Sequence, residues 1–124
     1  DALPINASQV PMNKRGVYTF VVKPGIANLG HVSYLIYVGK VEKQTFRKRY
    51  RQYLKHFQKG AKSNWFHVST FLHKWQNYLW FCWAPLTAAT TISTTEKRLI
   101  AAYIPPANRR FYGKVGKEVK LLFA

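Results

Sequence analysis

Acidic side chains are almost missing from this chain. Asp1, Glu42, Glu96 and Glu118 are the whole carboxylate inventory of its 124 residues. Several function classes fall with them. A two-metal hydrolase needs several carboxylates converging on one point, and four scattered acids can scarcely supply them. A Ser-His-Asp triad would have to take its orienting Asp from Asp1, at the terminus. Cysteine is scarcer still: the single Cys82 leaves no internal disulfide and no zinc site built on two thiolates. Long apolar runs are lacking as well, since the longest, Tyr78 to Leu86, is far too short to span a bilayer. No charged leader followed by an apolar run opens the chain, so no secretory signal is expected. It starts on Asp1 rather than Met, as a domain cut from a longer protein would.

What the chain has in excess is positive charge. Twenty Lys and Arg give a net charge of +16, a surface that attracts polyanions and releases counterions on contact. Nucleic acid is the expected partner and an anionic membrane surface the second. The membrane reading needs an exposed apolar face, and the apolar stripes described below are consumed by a core. An intracellular, cytoplasmic setting is expected, with a secreted toxin domain as the alternative. Hydrophobic residues at 48% and aromatics at 16% suffice for one packed core, so the chain reads as a single domain.

Residues 1–15, with Pro4, Pro11 and the Lys14-Arg15 pair, read as an irregular lead-in to a domain over 16–124. Gly16 to Val22 is β-branched and aromatic and predicts a strand; after the Lys23-Pro24-Gly25 break, Ser33 to Val41 predicts a second, antiparallel to it. Gln44 to Lys59 predicts a helix with Thr45 a possible N-cap. Phe46, Tyr50, Tyr53, Leu54 and Phe57 form its apolar stripe, and Arg49 and His56 share one flank beside Tyr53. A second helix is expected from Ser63-Asn64 to about Tyr78, with Trp65, Val68, Leu72, Trp75 and Leu79 inward. Trp80 to Leu86 predicts a buried strand that makes Cys82 a core residue. Ala88 to Thr95 reads as a loop, and Thr95 to Tyr103 as a short helix stopped by Pro105-Pro106. A basic tail follows. The order β-β-α-α-β-α predicts an α+β fold, a three-stranded, mainly antiparallel sheet flanked by helices.

Gly16-Val17-Tyr18, followed by Tyr37-Val38-Gly39-Lys40, resembles the two signature tripeptides of the GIY-YIG nuclease superfamily. The family pattern continues with an Arg four residues before a His or Tyr on the first helix, matched by Arg49 and Tyr53. A later helical Glu and an Asn beyond a Pro-containing turn are matched by Glu96 and Asn108. Together these cover residues 16–110. Arg47, Arg49 and Arg51 all compete for the arginine position. The helical wheel favours Arg49, because Arg51 points away from the apolar stripe and Arg47 sits on its opposite flank.

The resemblance implies a metal-dependent endonuclease. Glu96 would hold one Mg²⁺, with Mn²⁺ as the alternative ion, and waters would complete the octahedron. Arg49 would bind phosphate bidentately. Tyr18 would serve as base or water-positioner with Tyr37 as its partner, and Lys40 and the metal would favour a phenolate. Asn108 would fix a loop or orient a ligand. Gly16 and Gly39 belong to the motif's frame, and His56 is held in reserve. Double-stranded DNA is the expected substrate, with RNA open; target sequence and oligomeric state are not legible. Two other classes compete. One is a non-catalytic basic nucleic-acid binder on the same scaffold; the other is a metal-independent ribonuclease using His56, His67 or lysines. His67 and His73 do not share a helix face and make poor co-ligands.

Overall fold

A computed structural model describes residues 9–23, 34–59, 72–74 and 78–108. The expected second helix therefore lies largely outside the described residues, as do the loop 24–33, His67 and the tail from 109. The element order is β1 (Gly16–Val22), β2 (Tyr34–Val41), α1 (Phe46–Lys59), β3 (Leu79–Pro85) and α3 (Ala89–Tyr103), with residues 72–74 belonging to an intervening helical segment, α2. The fold is α+β, as expected. Its strands form one antiparallel sheet in the order β2-β1-β3.

Strand β1 is central, and its alternation sorts the core into two layers. Tyr18, Phe20 and Val22 face α1 and pack with Phe46, Tyr50, Tyr53, Leu72 and Phe81. Val17 joins Val38, Ile92 and Ile100 on the α3 side. The pairing of β1 with β2 shifts between Phe20↔Tyr37 and Val21↔Leu35, leaving Ile36 as the extra residue of a bulge. As a result Tyr37 and Ile36 both join the α1 layer, while Leu35 and Val38 belong to the α3 layer.

Helix α1 begins at Phe46, two residues later than expected, with Thr45 as its N-cap: the Lys48 N–H donates to Thr45 Oγ1 at 3.3 Å. Two further first-turn N–H groups are satisfied by the lead-in. Phe46 donates to Lys14 O at 3.0 Å and Arg47 to Pro11 O at 3.1 Å. Val10 is fully buried in the core as well, so the lead-in is anchored there and through the backbone of Pro11 and Lys14, while residues 12–15 are exposed.

Two expectations need correction. Residues 89–95 are the first half of α3 rather than a loop, because Ile92 drops into the core between Val17 and Val38. That burial outweighs the modest helix penalty of the threonines. Strand β3 is an edge strand covered on one face: Leu79 and Phe81 are buried, whereas Cys82 is only half-buried. Its unbroken apolar run imitates a strand buried on both faces.

Candidate functional site

The two motif glycines are explained by close approaches. Gly16 has φ +150°, and a Cβ there would meet Ala84 O and lie 2.8 Å from Leu86 N, both backbone atoms. A Cβ on Gly39 would run into the ring carbon and hydroxyl of Tyr18. Tyr18 and Gly39 are direct partners in the register, so the phenol of one tripeptide lies over the glycine of the other.

On the α1 face the structure brings together Tyr18, Tyr37, Tyr53 and Arg49. The hydroxyls of Tyr18 and Tyr53 share a hydrogen bond of 2.6 Å. Ring centroids of Tyr37 lie 6.3 Å from Tyr18 and 6.4 Å from Tyr53. Tyr18 is 2% and Tyr53 1% exposed, and burial raises both phenol pKa values well above the ordinary range. For Tyr18 the neighbouring Tyr37 adds to the rise and Arg49 opposes it. Burial and Tyr37 thus oppose ionisation of Tyr18 more than Arg49 favours it, and Lys40, expected to favour a phenolate, bonds to Ser93 on the other face of the sheet. Tyr37 is the half-buried member of the trio.

The three competing arginines separate as the helical wheel predicts. Arg51 is exposed. Arg47 donates its Nε–H to Val10 O at 2.8 Å and so ties the lead-in to α1. Arg49 is half-buried and lies close enough to Tyr18 to lower its pKa. The Gln44 amide lies against the guanidinium of Arg49, and with its oxygen assigned to that side, the orientation that satisfies both groups, it accepts from Nη2 at 2.8 Å and Nε at 2.9 Å.

A second group forms on the α3 face. Lys40 Nζ donates to Glu42 Oε1 at 3.0 Å and to Ser93 Oγ at 3.3 Å. Glu96, one turn beyond Ser93 on α3, is half-buried. Its pKa is raised, by burial first, with Lys40 pulling it down and Glu42 pushing it up. Glu96 thus sits mid-helix rather than at a helix start, on the sheet-facing line between Ile92 and Ile100. Glu42 was invisible as a partner in the sequence, although Lys40 and Glu42 have the i, i+2 spacing that puts strand residues on one face. Ser93 gave no signal at all.

Asn108 binds backbone. Its Oδ1 accepts from Val38 N at 2.8 Å and its Nδ2 donates to Val38 O at 2.8 Å, while Ala107 N donates to Ile36 O at 2.8 Å. The segment after α3 thereby covers the outer edge of β2 and fixes the residues between Tyr37 and Gly39. Arg15 is a second strap, donating to Glu42 O at 2.8 Å and to Thr87 O. His56 is half-buried on α1. His73 stacks on Phe57 with centroids 4.4 Å apart and bonds to Phe57 O at 2.8 Å.

The candidate residues therefore fall into two groups, joined through edge strand β2, which carries Tyr37 on one side and Lys40 on the other. Arg49 and Glu96 form no ion pair with each other. Among the described residues no group of three or more His, Cys, Asp or Glu could hold a metal ion. The carboxylates that could offer oxygen ligands to a hard divalent ion are Glu96 and Glu42, which lies near enough to raise the Glu96 pKa. Among the described residues no helix is long and apolar enough to cross a membrane. No family model, no curated protein and no solved structure matches the chain.

Proposed function

We propose that this chain is a metal-dependent endonuclease of the GIY-YIG type that hydrolyses DNA phosphodiester bonds, with RNA as an alternative substrate. The observation that carries the proposal is the environment of Arg49. A half-buried guanidinium stands against a buried neutral phenol, held by an uncharged amide, with no carboxylate partner among the described residues. Taking a cation partly out of water without an anion is unfavourable, and a phosphate matches the guanidinium bidentately. The +16 charge brings polyanions to that position.

The other groups follow from their places. Glu96, with Glu42 beside it, would hold Mg²⁺ or Mn²⁺, and the bound ion would supply Lewis-acid stabilisation of charge on phosphorus and the leaving oxygen. Tyr37 is the half-exposed phenol that can touch a substrate water, while Tyr18 and Tyr53 stay protonated and position it. Lys40 holds Glu42 in place beside Glu96, and Asn108 fixes the β2 backbone from which Tyr37 and Lys40 project.

The burial of Tyr18 and Tyr53 gives a second reading its own support: a non-catalytic nucleic-acid binder, in which the phenols are only core. Incubating supercoiled plasmid with and without Mg²⁺, and in EDTA, separates the two. The nuclease reading expects metal-dependent nicking that falls by about 10²-fold or more in Arg49→Ala, and similarly in Glu96→Ala, with DNA binding largely retained. No nicking under any divalent ion would favour the binder. Cutting that persists in EDTA would point to metal-independent chemistry through His56 or lysines.

A further inference from the structure

Gln44 is the residue whose chemistry the family pattern does not use. It lies two residues before α1, and its carbonyl reaches over the first turn to accept from both Nε and Nη2 of Arg49. This bidentate arrangement is the one a carboxylate ordinarily makes with arginine. Here an amide makes it. An amide oxygen fixes the plane of the guanidinium as a carboxylate would but cancels none of its charge. Nε and one side of Nη2 are occupied, which leaves the Nη1 edge as the remaining donor face. No described residue pairs with that edge.

We infer that Gln44 is a positioning residue: a charge-neutral clamp that orients Arg49 for a phosphate oxygen while leaving the positive charge of the guanidinium uncompensated. The inference rests on the phosphodiesterase reading for its consequence in cleavage, but its electrostatic part concerns any nucleic-acid phosphate. A local acid at this position would act as a built-in competitor for the anion, and the four acids of the chain leave this position neutral.

Gln44→Glu and Gln44→Ala separate this role from ordinary packing. Glutamate is isosteric and forms the stronger bond to arginine, so a structural role predicts that Gln44→Glu is harmless and Gln44→Ala is the damaging change. The clamp role predicts the reverse order. Gln44→Glu should lose cleavage nearly to the level of Arg49→Ala while melting at or above the wild-type temperature. Gln44→Ala should lose less, about tenfold, since a misplaced group of this kind costs up to about 10²-fold.

A second readout needs no cleavage: the salt dependence of binding to a short DNA duplex in EDTA. Loss of one phosphate contact lowers the slope of log K against log salt by about 0.9. That decrease is expected in Arg49→Ala and Gln44→Glu and not in Gln44→Ala. Wild-type cleavage or an unchanged slope in Gln44→Glu, or a larger loss in Gln44→Ala, overturns the inference. If the wild type nicks under no divalent ion, the nuclease reading has failed instead, and the slopes still decide whether Gln44 leaves the charge of Arg49 open to phosphate.

Discussion

On the α1 side of the sheet, polarity is carried by neutral phenols; on the α3 side it is carried by charges. Tyr18 and Tyr53 are almost fully buried and answer desolvation by keeping their protons. Glu96 is only half-buried, keeps one flank in water, and its tendency to take up a proton is countered by Lys40. A group that must hold a cation has to stay ionisable, whereas a group that orients neighbours is better neutral. Strand β2 joins the two environments within four residues, Tyr37 to Lys40. Arg49 is the exception on the aromatic side, a charge kept without a carboxylate partner among the described residues.

The strongest way to break the contrast is to move the strands apart. Gly16→Ala places a methyl against two backbone atoms at a φ of +150° that side chains rarely adopt, and neither neighbour can yield. Little folded protein is expected, read as loss of the cooperative thermal transition. Gly39→Ala pushes on the Tyr18 ring, which is buried and cannot swing out. Overpacking of this kind costs about 1–3 kcal/mol, enough to lower the melting temperature by several degrees. A Gly39→Ala protein that melts like wild type would mean that the Tyr18 ring can move off Gly39 at no expense to packing.

A milder change tests whether the phenols act as a unit. Tyr18→Phe removes one partner of the 2.6 Å bond to Tyr53 and leaves that buried hydroxyl with Tyr37, a loss of about 1 kcal/mol. Tyr53→Phe should cost a similar amount. The double variant should cost less than the sum, by about 1 kcal/mol, because both single changes remove the same bond. Strict additivity in denaturant unfolding would argue that the two hydroxyls are satisfied independently.

How much of this was legible in the sequence depended on which interaction decides each feature. Strands and α1 follow from local periodicity, and the choice of Arg49 over Arg47 and Arg51 followed from the helical wheel, which fixes direction on a helix. The sequence could not give the first half of α3, because Thr-rich residues 89–95 are helical only once Ile92 finds its tertiary pocket. Nor could it give the bulge at Ile36, which changes the face on which β2 residues lie. The neutral state of Tyr18 is a burial effect with no sequence signature. Gln44, Glu42 and Ser93 act through contacts between elements, and no motif spacing announces them.

The smallest expected effect is also the one that speaks most directly to the charged side. Glu96 has a folded pKa raised above its ordinary value of 4.5. The folded state then binds the proton more tightly than the unfolded state, so its contribution to stability is fully present below pH 4.5 and is lost as pH rises through the folded value. At neutral pH the ionised carboxylate therefore weakens the fold slightly. Glu96→Gln should melt a little higher than wild type at neutral pH, and the difference should vanish in acid, below the unfolded pKa. A carboxylate kept at some expense to stability is what a cation site requires. Mg²⁺ should accordingly raise the melting temperature of the wild type at neutral pH and leave Glu96→Gln unmoved. If the variant is less stable at neutral pH, or if both proteins respond equally to Mg²⁺, then Glu96 is a structural partner of Lys40 and the charged face is no metal site.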